Sequence, residues 1–251
     1  MVAGQPRVAS AQPLSFIRDT ELENTIRGYA TPIFVAAGLD PTAVRIYLVN
    51  DKQINAFVAG GQNLFINTGL LMQSEDAGQV VGVIAHEAGH IAGGHLVRVH
   101  DALARGTAES ILAMVLGAAA MVAGAPEVGA AVMSGGQNVA MRNFLQYSRT
   151  QEASADAAAT RFLDATQQSA KGLLDFFHML SGQELLVAAR QDPYLRTHPL
   201  TEDRIEALQT FVARSPYSDR PVSPEFQQQH QRMLAKLHAF LDDPSITRRR
   251  Y

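Results

Sequence analysis

The sequence predicts a predominantly helical α+β fold, with a small antiparallel sheet beside one long helix. Three observations carry this expectation. Short runs of β-forming residues crowd between Val44 and Ile66, separated by turn residues. Helical patterns then dominate from Gly69 onward. The chain has 251 residues, is 47% hydrophobic and 18% charged, and contains no cysteine, so a buried core and not a disulfide framework must hold it together.

The elements read in order as follows. Pro13 to Gly38 is helical, with Thr31-Pro32 as a break or restart and Gly38 as the stop. Val44 to Val49 is a strand, and Asn50-Asp51 turns the chain. Ile54 to Ala59 is a second strand, Gly60-Gly61 a second turn, and Leu64 to Ile66 a third strand. Three short strands in succession favour antiparallel pairing. Asp76 followed by Gln79 resembles a capping box that opens a helix from Ala77 to about Ala104. Gly89, Gly93 and Gly94 fall inside that helix, each at a cost of about 1 kcal/mol relative to Ala, which points to a second backbone packed closely against it. Helical patterns recur over Gln137–Ala165, Lys171–Leu180 and Glu202–Ala213, the last with Thr201 as its N-cap. Arg214 to Glu225 is a proline-broken linker, and a polar helix follows from Phe226 to Leu241. The expected division is an N-terminal segment and helix over 1–30, a main domain over 31–215, and a linker with a C-terminal helix over 216–251.

Charge and termini narrow the options. A formal net charge of -3 gives no electrostatic reason to expect a nucleic-acid partner. Ala9-Ser10-Ala11 matches a signal-peptidase pattern without an apolar run before it, and reads as a signal remnant or a disordered polar start. The uncharged run between Glu109 and Glu127 falls short of the roughly 20 apolar residues of a membrane span, which favours a buried or interface-seeking helix over a transmembrane one. Arg248-Arg249-Arg250 reads as a boundary cut.

The chemistry concentrates in His86-Glu87-Ala88-Gly89-His90. Residues four apart on a helix share a face, so two imidazoles stand side by side, as a tetrahedral zinc site needs. Glu87 lies next to the first of them, where it can reach a water at the metal. The flanking Val80, Val81, Val83 and Ile84 make a solvated histidine pair a poor alternative. A catalytic zinc wants a third protein ligand. The metzincin continuation fails, because its ligand position is occupied by Leu96 and His95 falls one residue short. The gluzincin solution takes a Glu from a later helix, and Glu152 in Gln151-Glu152-Ala153-Ser154-Ala155-Asp156 is the best candidate. Asp156 shares its helix face and is the expected hydrogen-bond partner of His86 behind the metal. His95 and His100 read as satisfied or solvated histidines outside the site.

Together these residues resemble the HtpX- and BepA-like zinc metallopeptidases, family forty-eight of the metallopeptidases, related to the CAAX prenyl protease. The resemblance runs from about Thr31 to Ala213. Asn55-Ala56-Phe57 with Asn63–Leu71 is similar to the family's strand pair, His86–His90 to its zinc motif, and Glu152–Asp156 to its third-ligand motif. Thr197-His198-Pro199, with Arg204 and Ile205, is similar to its late His-Pro segment. The resemblance implies a zincin-like (gluzincin) fold and one Zn2+ per chain. It implies that His198 serves as a fourth, latching ligand, an oxyanion donor or a loop-ordering residue, and that Arg204 pairs with an acidic site residue or contacts substrate. The HtpX and CAAX branches carry clear transmembrane helices, and this chain looks closer to the periplasmic BepA-like branch. In that branch a TPR domain follows the peptidase, so residues 216–251 would be its approach.

The expected function is zinc-dependent endopeptidase activity on proteins or peptides, with Glu87 moving the proton of the attacking water. Substrate is expected to add as a strand at the sheet edge near Asn55, Ala56 and Phe57. The resemblance implies a periplasmic setting, misfolded envelope proteins as substrates, and contact with a membrane or an outer-membrane assembly complex through Ile111–Met133. The alternative is a chaperone-like, assembly-assisting binder with a latent zinc site, against which an intact Glu87 argues. A hydrolase of non-peptide bonds is a third and poorer reading.

Overall fold

A computed structural model of the chain describes residues 15–122, 126–181 and 192–250. The signal-like Ala9-Ser10-Ala11 lies outside the described residues. The first elements are β1 (Phe16–Ile17) and α1 (Thr20–Ala36). The helix opens later than the sequence suggests because Asp19 caps it, accepting from the backbone N–H groups of Glu21 and Leu22. It also runs through Pro32 without the expected break. Thr31 Oγ1 donates to Arg27 O at 2.7 Å, and Ile26, Tyr29, Ala30, Ile33 and Phe34 are buried along one face. Tertiary burial here outweighs the local cost of proline.

Strands β2 (Arg45–Val49), β3 (Ala56–Ala59) and β4 (Asn63–Asn67) join β1 in one sheet of order β1-β2-β4-β3. The small antiparallel sheet expected from the sequence is therefore a mixed one. β3 and β4 form the antiparallel hairpin across Gly60 and Gly61, whose φ values of 56° and 96° suit glycine. β4 then inserts beside β2 and pairs with it in parallel. The connection between β2 and β3 permits this. It packs across the start of α2 (Thr68–Gln73), where Asp51 O accepts from Gly69 N at 2.7 Å. β3 is left at the edge of the sheet.

α3 (Ala77–Ala92) is the central helix and is buried over almost its whole length. Asp76 accepts from Gln79 N at 3.0 Å, while Gln79 Oε1 accepts from Glu75 N, one residue earlier than in a full capping box. The helix does not reach Ala104. Gly93 ends it, Gly94 turns the chain at φ 62°, and α4 (His95–Val122) begins. α4 and α5 (Pro126–Ala165) form a long hairpin whose far end exposes Leu112, Val115, Leu116, Val128 and Val132. No helix among the described residues is long and apolar enough to cross a membrane.

α6 (Lys171–Ser181) packs beside α3, and α7 (Pro193–Thr197) leads into α8 (Glu202–Val212). Thr201 sits at the N-cap of α8 without a side-chain capping bond. The chain closes with α9 (Pro224–Leu241) and α10 (Pro244–Arg250). α9 lies on α1: Tyr29 Oη donates to Phe226 O at 2.8 Å, Met233 and Leu237 are buried, and Lys236 binds Asp19 at 2.7 Å.

Candidate metal centre

Two long helices meet at the centre because one of them lacks a side chain there. A Cβ on Gly89 would lie 2.8 Å from Ala155 O and 3.0 Å from Ala155 Cα, so α3 and α5 touch backbone to backbone. The mid-helix glycine anticipated from sequence thus marks a close approach. That contact sets Glu152 and Asp156, one turn apart on α5, against His86 and His90, one turn apart on α3.

The side chains converge. His86 Nε2 and His90 Nε2 are 3.0 Å apart. Glu152 Oε2 is 3.3 Å from the first and Glu152 Oε1 is 3.4 Å from the second. His198, just past α7, brings Nδ1 to 3.2 Å from Glu152 Oε2 and Nε2 to 3.4 Å from Glu87 Oε1. Donor atoms of His86, His90, Glu152 and His198 all lie within 4.8 Å of one another, and all four residues are buried.

Asp156 and Arg204 stand behind this group. His86 Nδ1 lies 2.8 Å from Asp156 Oδ1. Arg204 donates Nε to Asp156 Oδ2 at 2.6 Å and Nη2 to Asp156 Oδ1 at 2.9 Å, and its Nη1 reaches Pro199 O at 2.8 Å and Glu152 Oε2 at 3.2 Å. The guanidinium also sits 4.9 Å over the Phe177 ring. Arg204 is thereby tied to the acidic residues and fully enclosed.

The three residues anticipated at the sheet edge sit differently from one another. Ala56 O lies 3.2 Å from His198 Nε2. Phe57 lines a cleft of about 360 Å³ with His90, His95, Leu96, Tyr147 and His198. Asn55 is buried below, its O accepting from Asn67 N at 3.0 Å. A larger cleft of about 770 Å³, between α6 and the linker to α9, contains none of the converging donors.

Sequence reasoning left two neighbours out. His95 Nδ1 lies 2.9 Å from His90 Nδ1. The Tyr194 ring lies 4.7 Å from that of His198, tilted by 36°, and is fully buried against Phe176. The available signal for His95 was the Gly93-Gly94 pair before it, which marks a reversal of the chain. Tyr194 follows a proline at the start of a five-residue helix, and nothing local distinguishes it. The side chain of His100 lies outside the described residues.

The electrostatics favour a cation between these groups. Burial alone would push the His86 imidazole down, but hydrogen bonds to Asp156 and Glu152 outweigh it and hold the group up to about 10. His90 is pushed down to about 3 by burial. Burial would raise the carboxyls of Glu152 and Asp156. Instead His198, His86 and His90 hold Glu152 far below the usual range, and Arg204 and His86 hold Asp156 down. Burial raises the Glu87 carboxyl, and neither of its oxygens has a hydrogen-bond partner.

These residues fit a metal ion. Ligand atoms around a tetrahedral zinc at roughly 2.1 Å stand about 3.4 Å apart. The separations of 3.3 and 3.4 Å between Glu152 and the two histidines match that spacing. The pair of facing Nε2 atoms, otherwise dependent on a shared proton, and the unpartnered Glu87 oxygens both gain partners from a metal and its water.

A helical zincin-like fold with two histidines of one helix and two glutamates converging at its centre defines the class: a metallopeptidase. The comparison with protein families agrees. The model of peptidase family M48 matches residues 17–212, and the chain belongs to that family. It is 29% identical over 75% of its length to a putative beta-barrel assembly-enhancing protease of Vibrio cholerae. It is 28% identical over 65% to the beta-barrel assembly-enhancing protease of Yersinia pestis, and 25% identical over 75% to that of Escherichia coli. The matches span 39%, 33% and 38% of those relatives' own lengths.

Proposed function

We propose that the chain is a zinc-dependent metalloendopeptidase in which His86, His90 and Glu152 hold the metal and Glu87 is the general base. The convergence of these donors within 4.8 Å carries the reading. Zinc in that position would supply a Lewis acid that polarises a scissile carbonyl and acidifies water. Glu87 takes a proton from the attacking water at a carboxylate oxygen and returns it to the leaving amine nitrogen. Its raised pKa makes it a stronger base for that exchange. Asp156 accepts the His86 Nδ1 proton and keeps Nε2 free, while Arg204 neutralises Asp156 and braces Glu152.

His198 is the latch in this reading. It bridges Glu152 and the Ala56 carbonyl on the edge strand, and so covers both the metal position and one hydrogen-bonding group of the strand near Asn55, Ala56 and Phe57. Extended substrate adds along β3 once His198 withdraws, with a side chain in the cleft beside Phe57. When substrate is bound, His198 is placed to donate to the oxyanion.

The relatives' names include beta-barrel assembly, which supports an envelope setting; within it the proposal is protein quality control in the periplasm, acting on misfolded envelope proteins. The exposed apolar residues within Ile111–Met133 suit contact with a membrane or an outer-membrane assembly complex. The same exposed residues favour the second reading, an assembly-assisting binder with a latent site. The domain limits expected from sequence (1–30, 31–215 and 216–251) belong to the proposal too.

The test is zinc content and casein cleavage for the parent, Glu87→Gln and His198→Ala. We expect about one zinc per chain in the parent and in Glu87→Gln, cleavage lost in Glu87→Gln, and cleavage raised in His198→Ala. Zinc without cleavage in every variant favours the binder, and absence of zinc from the parent removes the metallopeptidase mechanism.

A further inference from the structure

Not every buried histidine has a part in the mechanism above. His95 opens α4, is 3% exposed, and turns its Nδ1 to within 2.9 Å of His90 Nδ1. The two rings meet edge to face, with centroids 4.9 Å apart and planes at 83°. That is the arrangement of a ring-to-ring hydrogen bond and not of a stack.

We infer that His95 is the positioning residue of His90, accepting its Nδ1 proton and so aiming its Nε2 lone pair at the metal position. The inference rests on the metal-binding reading of the site. Two facing ring nitrogens share one proton, and either ring can carry it. His90 Nε2 lies among the converging donors, 3.0 Å from His86 Nε2 and 3.4 Å from Glu152 Oε1. A lone pair is needed there, so the proton belongs on His90 Nδ1 and His95 accepts it. A ligand histidine held through its other nitrogen keeps both tautomer and ring orientation.

The backbone between the two histidines is built around this contact. Gly94 at φ 62° reverses the chain after α3. A Cβ on Gly93 would stand 2.3 Å from His95 Nε2 and 2.6 Å from its Cδ2, so glycine is what leaves room for the ring. Neither glycine is required by the spacing of the metal motif itself. The two ligand histidines are consequently held by different chemistry. His86 leans on a carboxylate that Arg204 neutralises, and His90 leans on an imidazole, which orients it without adding a further buried carboxylate beside Glu87, Glu152 and Asp156.

The experiment measures zinc affinity by chelator competition for the parent, His95→Leu and His95→Asn. Asparagine restores an acceptor oxygen near the Nδ1 position, and leucine does not. We expect His95→Leu to lose about 10–100-fold in affinity and His95→Asn to recover most of that loss. Parent-like affinity in His95→Leu, or equal losses in both variants, overturns the inference. The substitutions could unfold the α3–α4 junction, so a second measurement uses the unaltered chain. Nitrogen-15 NMR of the zinc-loaded protein is expected to show the His90 proton on Nδ1, with scalar coupling to His95 Nδ1. A His90 Nδ1 proton without that coupling overturns the inference. A parent that binds no zinc fails at the earlier step and overturns the metal reading with it, whereas tight parent binding with an indifferent His95→Leu removes His95 alone.

Discussion

The two halves of α5 carry similar small residues and do opposite things with them. Its C-terminal half is pressed onto α3, where Gly89 has no room for a Cβ beside Ala155. Its N-terminal half pairs with α4 in a hairpin where Gly135 has nothing within 4 Å of the Cβ position. In the first half Ala155 and Ala159 are fully buried; in the second Val128, Val132 and Val139 face outward. Small residues therefore mark a close helix contact only where a second backbone arrives to use them. In the core half that contact sets the positions of Glu152 and Asp156. In the hairpin half it leaves apolar surface uncovered.

Three substitutions sharpen this contrast. The largest effect is expected from Arg204→Met, which leaves Asp156 buried without its bidentate partner. Breaking a buried pair in this way costs about 3–5 kcal/mol, to be read from urea unfolding of the metal-free chain. A loss below the scale of an exposed ion pair would show that the charge behind His86 is relieved by water, and that the core half of α5 is less enclosed than its burial indicates. Gly89→Ala comes next. It forces α3 and α5 apart at Ala155, and overpacking of this kind costs about 1–3 kcal/mol. It should also weaken zinc binding, because Glu152 retreats from His86 and His90. Unchanged stability and zinc affinity would break the comparison at its centre. The smallest effect, with the opposite sign, is expected from Gly135→Ala. It meets no neighbour and should stabilise the helix by up to about 1 kcal/mol. Destabilisation would mean that the hairpin is covered by something that uses the glycine.

Much of the site was legible from local spacing. His86 with His90, and Glu152 with Asp156, are each one turn apart, and helix geometry alone puts each pair on one face. The helix starts were legible where an oxygen-bearing side chain precedes an apolar run, as Asp76 does for α3. The end of α3 was not. A periodic pattern extends through His95, and only the pair of glycines signals that the chain reverses there. His95, expected as a satisfied or solvated histidine, is buried against His90 because the chain reverses at Gly94. The sheet was misread for a related reason. Turn residues announce a hairpin, but the order of strands depends on how the segment between β2 and β3 packs on α2, and no local pattern encodes that. Pro32 shows the reverse error: a local rule predicted a break that a well-buried helix face overrode.

The sequence by itself determined which residues could act as metal ligands and base, because ligand chemistry belongs to residue type and i, i+4 spacing belongs to the helical backbone. Tertiary structure alone decided which of them meet. His86 and Asp156 are 70 residues apart, Glu152 and His198 are 46 apart, and Arg204 reaches back 48 residues to Asp156. Those encounters depend on the close fit of α3 against α5 and on where α7 and α8 pack. Such packing is summed over many weak contacts spread along the chain, and no short stretch of sequence carries it.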